Sequence, residues 1–424
     1  MTPEDRHRAI AQTQLLLETA NYPPERNADM AFNLGRLFEE EGNYEAALAS
    51  YERVLQFNPD FHSDVWYVKG NVLAQMDSYT EALDCYDRFL RINPEDSNAW
   101  IGRGDALSKL GRLDESVASY DRAIQTQPRS NPLKSFWARL RGAGQIHAVV
   151  KALNYVPWYS RGNSLLEQGK FKAAIASYDQ AISCNPNADN AWYNRGFTFY
   201  KLQQYQKACK SYERAIAIKP DKLEAWIAWG DALTHMNDLE AALAIYDRAL
   251  THLPDAAELW LERSHVLNDL RRFEAAIASY DQALAHDADV AEVFYNRGNI
   301  FFALQQFETA IENYDRAIAH DPTSGFAWDN RSAALVNLGR LSEALESALR
   351  SVELHPDYEN SFYNLACCHS LLGHNDDALQ ALERAIELEP SYRTMAKDDE
   401  DFDPLRSDPR FAQLVSSSSG QAKN

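Results

Sequence analysis

The chain has 424 residues, 45% of them apolar, and its 42 basic and 62 acidic side chains leave a formal net charge of −20. That charge repels phosphate backbones and argues against nucleic acid as a partner. The longest apolar run of the first thirty residues is Leu15-Leu16-Leu17, and no apolar stretch long enough to span a bilayer follows, so the expectation is a cytoplasmic protein without membrane insertion.

In chain order, Thr2-Pro3-Glu4-Asp5 is a helix start with proline at the first helical position, leading into Ile10, Thr13 and Leu17. A capping helix is expected within residues 1–27. Beyond it, single residue types recur at a step of 34. Tryptophans stand at Trp158, Trp192, Trp226 and Trp260, tyrosines at Tyr178, Tyr212, Tyr246, Tyr280 and Tyr314, and prolines at Pro186, Pro220 and Pro254. Within one period, 189–222, Trp192, Gly196 and Phe199 and then Ala208, Tyr212 and Ala215 recur at helical spacing. Two helices follow from this, with a polar break at Leu202 to Gln204 and a stop at Pro220, which lacks the N–H that would continue the second helix. One such hairpin cannot bury its own apolar face, so neighbouring hairpins must stack.

The order W-x3-G-x2-F, A-x3-Y-x2-A, P resembles the tetratricopeptide repeat. The resemblance extends over ten units beginning at Ala28, Ser63, Ser97, Tyr155, Asp189, Leu223, Ala257, Ala291, Gly325 and Glu359. It implies an all-α fold, a right-handed α-solenoid, with units one to three in 28–130 and units four to ten in 155–392. Departures concentrate late in the array, where Ser264, Ser332 and Ala366 replace the glycine and Ala348 and Leu382 the tyrosine.

Between units three and four the ladder slips, since Trp100 to Trp158 exceeds one period by 24 residues. Residues 131–154 carry two short amphipathic stretches and read as a helical hairpin wedged between the two units. From Arg122 to Leu166 there is no Asp or Glu, while Lys134, Arg139, Arg141 and Lys151 are basic. Either these charges lie against acidic neighbours or they form a contact site for an acidic partner. After the array, 393–415 resembles the closing segment of many bacterial tetratricopeptide arrays, with Leu405, Phe411 and Leu414 expected to cover the last unit. The polar residues 416–424 are expected to be a disordered tail.

Two charge rows run through the repeats. An acid follows the second-helix tyrosine (Glu52, Asp87, Asp121, Asp179, Glu213, Asp247, Asp281, Asp315), and a base precedes the small first-helix residue (Lys69, Arg103, Arg161, Arg195, Arg263, Arg297, Arg331). Pairing from each second helix to the next first helix is expected, with Trp229 breaking the rule opposite Glu213.

The family resemblance implies that first helices line a concave groove. That places Tyr67, Tyr159, Tyr193, Tyr295 and Tyr363 in it, with Asn71, Asn163 and Asn299 one turn further along. Aromatic faces edged by amides suit an extended peptide or a partner helix. A carboxylate clamp of the chaperone-binding kind is not expected, because Asn330, Asn360 and Asn364 lack the flanking cations. His252, His286 and His320 recur in stacked repeats too far apart to share a metal. No cofactor, metal or catalytic motif is expected, and the five cysteines read as reduced thiols. The expected function is a non-enzymatic scaffold or adaptor for protein partners. A dedicated assembly factor or chaperone adaptor for one client is the alternative, and an RNA-binding repeat is disfavoured by charge.

Overall fold

A computed structural model describes residues 2–19, 22–58, 63–126, 154–286 and 288–416. The described residues form 23 α-helices and one 3-10 turn, with no strand. The chain divides into two compact units, Met1–Ala232 and Leu233–Asn424.

In the first unit, α1 (Pro3–Thr19) packs on α2 (Pro24–Glu40) through the buried Ile10 and Leu17. Hairpins follow: α2 with α3 (Tyr44–Phe57), α4 (Asp64–Gln75) with α5 (Tyr79–Ile92), α6 (Ser97–Lys109) with α7 (Leu113–Thr126), α8 (Tyr155–Glu167) with α9 (Phe171–Cys184), and α10 (Asp189–Lys201) with α11 (Tyr205–Ile218). Helix α12 (Leu223–His235) runs through the division. The second unit opens with α13 (Leu239–His252) and continues as α14 (Ala257–Asp269) with α15 (Phe273–Ala285), α16 (Val290–Ala303) with α17 (Phe307–His320), α18 (Gly325–Asn337) with α19 (Leu341–Leu354), and α20 (Glu359–Leu371) with α21 (Asn375–Leu388). It ends in α22 (Tyr392–Asp398), a 3-10 turn (Glu400–Leu405) and α23 (Pro409–Ser416). Each unit is a solenoid of stacked helical hairpins. The first helix of a hairpin is called A below and the second B.

The ladders seen in the sequence are lines of contact. Gly35, Gly70, Gly104, Gly162, Gly196 and Gly298 each face the tyrosine of their own B helix: a Cβ added at Gly162 would lie 2.5 Å from the Tyr178 ring, and one at Gly196 2.7 Å from Tyr212. The tyrosines are almost wholly buried, so glycine is what lets A and B approach around a large ring. In the last two units both sides of this contact change together. Where Tyr becomes Ala348 or Leu382, the glycine becomes Ser332 or Ala366, and Ser332 Oγ donates to the Ala344 carbonyl at 2.9 Å. Tryptophan and proline ladders are likewise joined, because the indole N–H donates to the proline carbonyl six residues earlier, as in Trp100 to Pro94 at 2.8 Å and Trp260 to Pro254 at 2.9 Å.

Turns between A and B need one residue in the left-handed region. Glycine supplies it at Gly42, Gly111, Gly169, Gly339 and Gly373, but Asp77, Gln203, Asn237, Arg271 and Gln305 sit there with φ between 56° and 60°. Arg271→Gly should therefore raise stability by about 1 kcal/mol, measured by urea denaturation, since an L side chain is strained at that φ.

The ionic ladder exists at every place expected: Lys69–Glu52 at 3.1 Å, Arg103–Asp87, Arg161–Asp121, Arg195–Asp179 and Arg263–Asp247 at 2.7 Å, Arg297–Asp281 at 2.8 Å and Arg331–Asp315 at 2.6 Å. Several arginines also donate to a serine of their own B helix, as Arg195 does to Ser211 at 2.9 Å, so one guanidinium ties three helices. Arg195→Ala should cost only about 0–1 kcal/mol, because the Asp179 carboxylate is about half exposed and stays solvated. Urea melts of the two proteins check this.

The helices that flank the expected hairpin at 131–154 are in contact with one another. Helices α7 and α8 pack directly on one another, with Ser116 Oγ 3.1 Å from Ser164 Oγ, the Arg161–Asp121 pair in register, and Lys170 paired with Asp114 at 2.9 Å. The connection from Thr126 to Tyr155 holds 28 residues, 127–154, against four, 219–222, between Ile218 and Leu223. All of the extra length therefore enters one inter-repeat connection, and no layer separates α7 from α8. Residues 127–153, with Lys134, Arg139, Arg141 and Lys151, lie outside the described residues.

Candidate recognition face

The candidate groove residues stand on A helices, and the structure divides them. Tyr67 and Asn71 line an open depression of about 600 Å³ with Asn98, Ile101 and Lys109 of α6 and Val156 of α8. Tyr159 is half-buried and stacks on Tyr155 with ring centroids 5.3 Å apart. Tyr193 lines a second cavity, of about 340 Å³, between α10 and α12. Tyr295 is half-buried beside Tyr314.

Tyr363 does not belong to an open groove. It is buried beneath the C-terminal segment, its ring 4.7 Å from Tyr392 and 5.5 Å from Phe402, and its hydroxyl donates to Asp399 at 2.6 Å. Having no repeat after it, the last A helix is covered by the residues that close the array.

The asparagines have a structural duty that the sequence reading missed. Asn71 accepts from the Tyr86 hydroxyl at 2.9 Å, Asn163 from Tyr178 at 2.8 Å and Asn299 from Tyr314 at 3.0 Å. Asp105 does the same for Tyr120 at 2.6 Å. These side chains satisfy buried phenols, so their carbonyl oxygens are already engaged. A second asparagine, on the next A helix, extends the row: Asn194 donates to Asn163 at 2.9 Å and to the Tyr159 hydroxyl at 3.1 Å, and Asn330 donates to Asn299 at 2.8 Å. The signal was present as a constant step of 15 residues from amide to tyrosine.

The residues weighed for a carboxylate clamp are also committed internally. Asn360 and Asn364 donate to the buried Asp329 carboxylate at 2.6 and 2.9 Å. Burial pushes the Asp329 carboxyl upward, and these two amides oppose that by stabilising the anion.

The described residues define an all-α array of stacked helical hairpins. Family models described as tetratricopeptide repeat match residues 28–61, 67–131, 189–222, 223–266, 291–324 and 360–392, and one described as TPR repeat matches 162–203 and 265–305. The chain belongs to the tetratricopeptide repeat family. Among solved structures it is similar to YrrB, titled a TPR protein with an unusual peptide-binding site, at 26% identity over 45% of this chain and 98% of that one, with a TM-score of 0.38. It is also similar to the C-terminal part of a TPR repeat-containing protein from Cytophaga hutchinsonii, at 14% identity over 58% of this chain and 99% of that one, TM-score 0.48. A tetratricopeptide repeat protein from Parabacteroides merdae matches at 15% identity over 64% and 98%, TM-score 0.41. A comparison with curated proteins gave no match.

Proposed function

We propose that this protein is a cytoplasmic scaffold or adaptor that holds an extended peptide or helix of a protein partner against its A helices. Tetratricopeptide repeats support a protein–protein interaction scaffold in general. No described helix is long and apolar enough to cross a membrane. The observation that carries the finer reading is the depression between α4, α6 and α8, which combines an aromatic ring, amides, Ile101 and a cation in one open site. Such a mixture offers apolar burial and backbone hydrogen bonding together. The best test selects ligands from a random-peptide display library on the full chain and measures their affinity for Ile101→Glu. Loss of about tenfold or more is expected, because a charge would replace a central apolar contact. An empty selection, or affinities that Ile101→Glu leaves unchanged, would refute the reading.

The basic stretch supports a second contact. Its charge carries the reading, since no Asp or Glu occurs from Arg122 to Leu166 in a chain of net charge −20. We assign Lys134, Arg139, Arg141 and Lys151 to an acidic partner surface. Changing Lys134, Arg139 and Arg141 to Glu should leave the melting temperature unchanged and abolish a salt-sensitive partner. Retention of every partner, measured by quantitative pull-down at two ionic strengths, would contradict the assignment.

A further inference from the structure

Among the described residues, Tyr212 is the B-helix tyrosine whose buried hydroxyl finds no acceptor, and a cavity lies beside it. Tyr86, Tyr120, Tyr178 and Tyr314 each donate to an Asn or Asp 15 residues earlier. The residue 15 before Tyr212 is Phe197, which cannot accept. Tyr212 is fully buried, and its hydroxyl has no hydrogen-bond partner. An orphaned buried phenol is costly, so the exchange of an amide for a phenyl ring calls for a compensating use.

Tyr212 lines the 340 Å³ cavity with the rings of Tyr193, Phe197 and Tyr200 and the carboxylates of Glu224 and Asp231. Glu224 and Asp231 stand two turns apart on α12, and Glu224 is exposed and has no ion pair among the described residues. The negative field reaches the rings: the Tyr193 phenol is pushed up first by burial and then by Glu224 and Asp231. The ring faces already attract the chain's own ammonium groups, with Lys201 Nζ 5.1 Å from the Phe197 centroid and Lys222 Nζ 5.3 Å from that of Tyr193. Lys222 is at the same time held by Asp189 at 3.0 Å.

We propose that this cavity receives an arginine or lysine side chain of an extended peptide segment of a protein partner. The aliphatic stem lies along the aromatic rings, the cationic head pairs with Glu224 in the negative field that Asp231 adds, and a head N–H donates to the Tyr212 oxygen. An acidic side chain would meet two carboxylates, and a purely aliphatic one would desolvate Glu224 without pairing it. This rests on the reading of the A helices as a peptide-binding face and names the side chain that one place on it selects.

The test uses peptides selected from a random display library on the full chain, each compared with its citrulline or norleucine counterpart at every Arg or Lys. Wild type should lose about tenfold or more in affinity on one such replacement. Phe197→Asn restores the acceptor that the neighbouring repeats possess, so it should fold at least as well as wild type. It should reduce the preference for the charged peptide by removing one ring and engaging the Tyr212 hydroxyl, and Glu224→Gln should reduce it further. Peptides that bind without requiring a cation, or a preference that Phe197→Asn leaves intact, would overturn this proposal while leaving the groove reading standing. Failure to select any peptide would overturn both.

Discussion

Valine at position 298 is expected to destabilise the second unit by about 3 kcal/mol, because overpacking at this site has no relief. A Cβ at Gly298 would stand 2.5 and 2.7 Å from two atoms of the Tyr314 ring. That ring is 1% exposed, and its hydroxyl is held by Asn299 at 3.0 Å, so it can neither leave nor pivot freely. Tyr314→Ala alone should cost about 3–5 kcal/mol through the cavity it opens. The double variant should cost clearly less than the two single losses together, since valine enters space that the ring has vacated. Urea denaturation of the three variants decides the point, and strictly additive losses would show that the glycine and tyrosine are not one packing unit.

Removing residues 393–424 should destabilise the last hairpin more than any single surface change and lead to self-association. Phe402 and Leu405 are fully buried and Phe411 is 3% exposed, in one cluster with Leu382 and Tyr363. Burial of such side chains contributes roughly 1.5–3 kcal/mol each. The polar ties, Ser370 to the Asp401 carbonyl at 2.7 Å and Arg410 to Asp376 at 2.7 Å, hold the segment in place. Without it the apolar side of α20 and α21 meets water, which terminal repeats avoid by capping. Light scattering after size exclusion and a thermal melt are the readouts. A monodisperse protein with an unchanged melting temperature would count against the cap.

Periodicity made the fold legible because a stacked repeat must present the same residue type at the same contact. The Arg–Asp ladder could be read for that reason, down to its break at Trp229, which instead stacks on Trp226 with centroids 6.3 Å apart. The candidate face was legible only in part. Periodicity marks which positions are equivalent but not which partner each one meets, so Asn71, Asn163 and Asn299 read as free amides although each is held by a phenol 15 residues ahead. Tyr363 misled because its frame position matches Tyr295, while the residues that cover it belong to no repeat. The hairpin read at 131–154 falls almost wholly outside the described residues, while α7 packs on α8 at its flanks. Phe197 was readable in principle: it replaces the polar residue that accepts from the B-helix tyrosine in four repeats, and only the cavity shows why that matters.

The most direct test of the central claim is hydrogen–deuterium exchange of the full chain with and without a peptide selected from the display library. Protection is expected on A helices, in α4 and α6 around Tyr67 and Ile101 and in α10 and α12 around Phe197 and Glu224, with the B helices α5, α7 and α11 unchanged. Protection confined to B helices, with the A helices unchanged, would contradict the account.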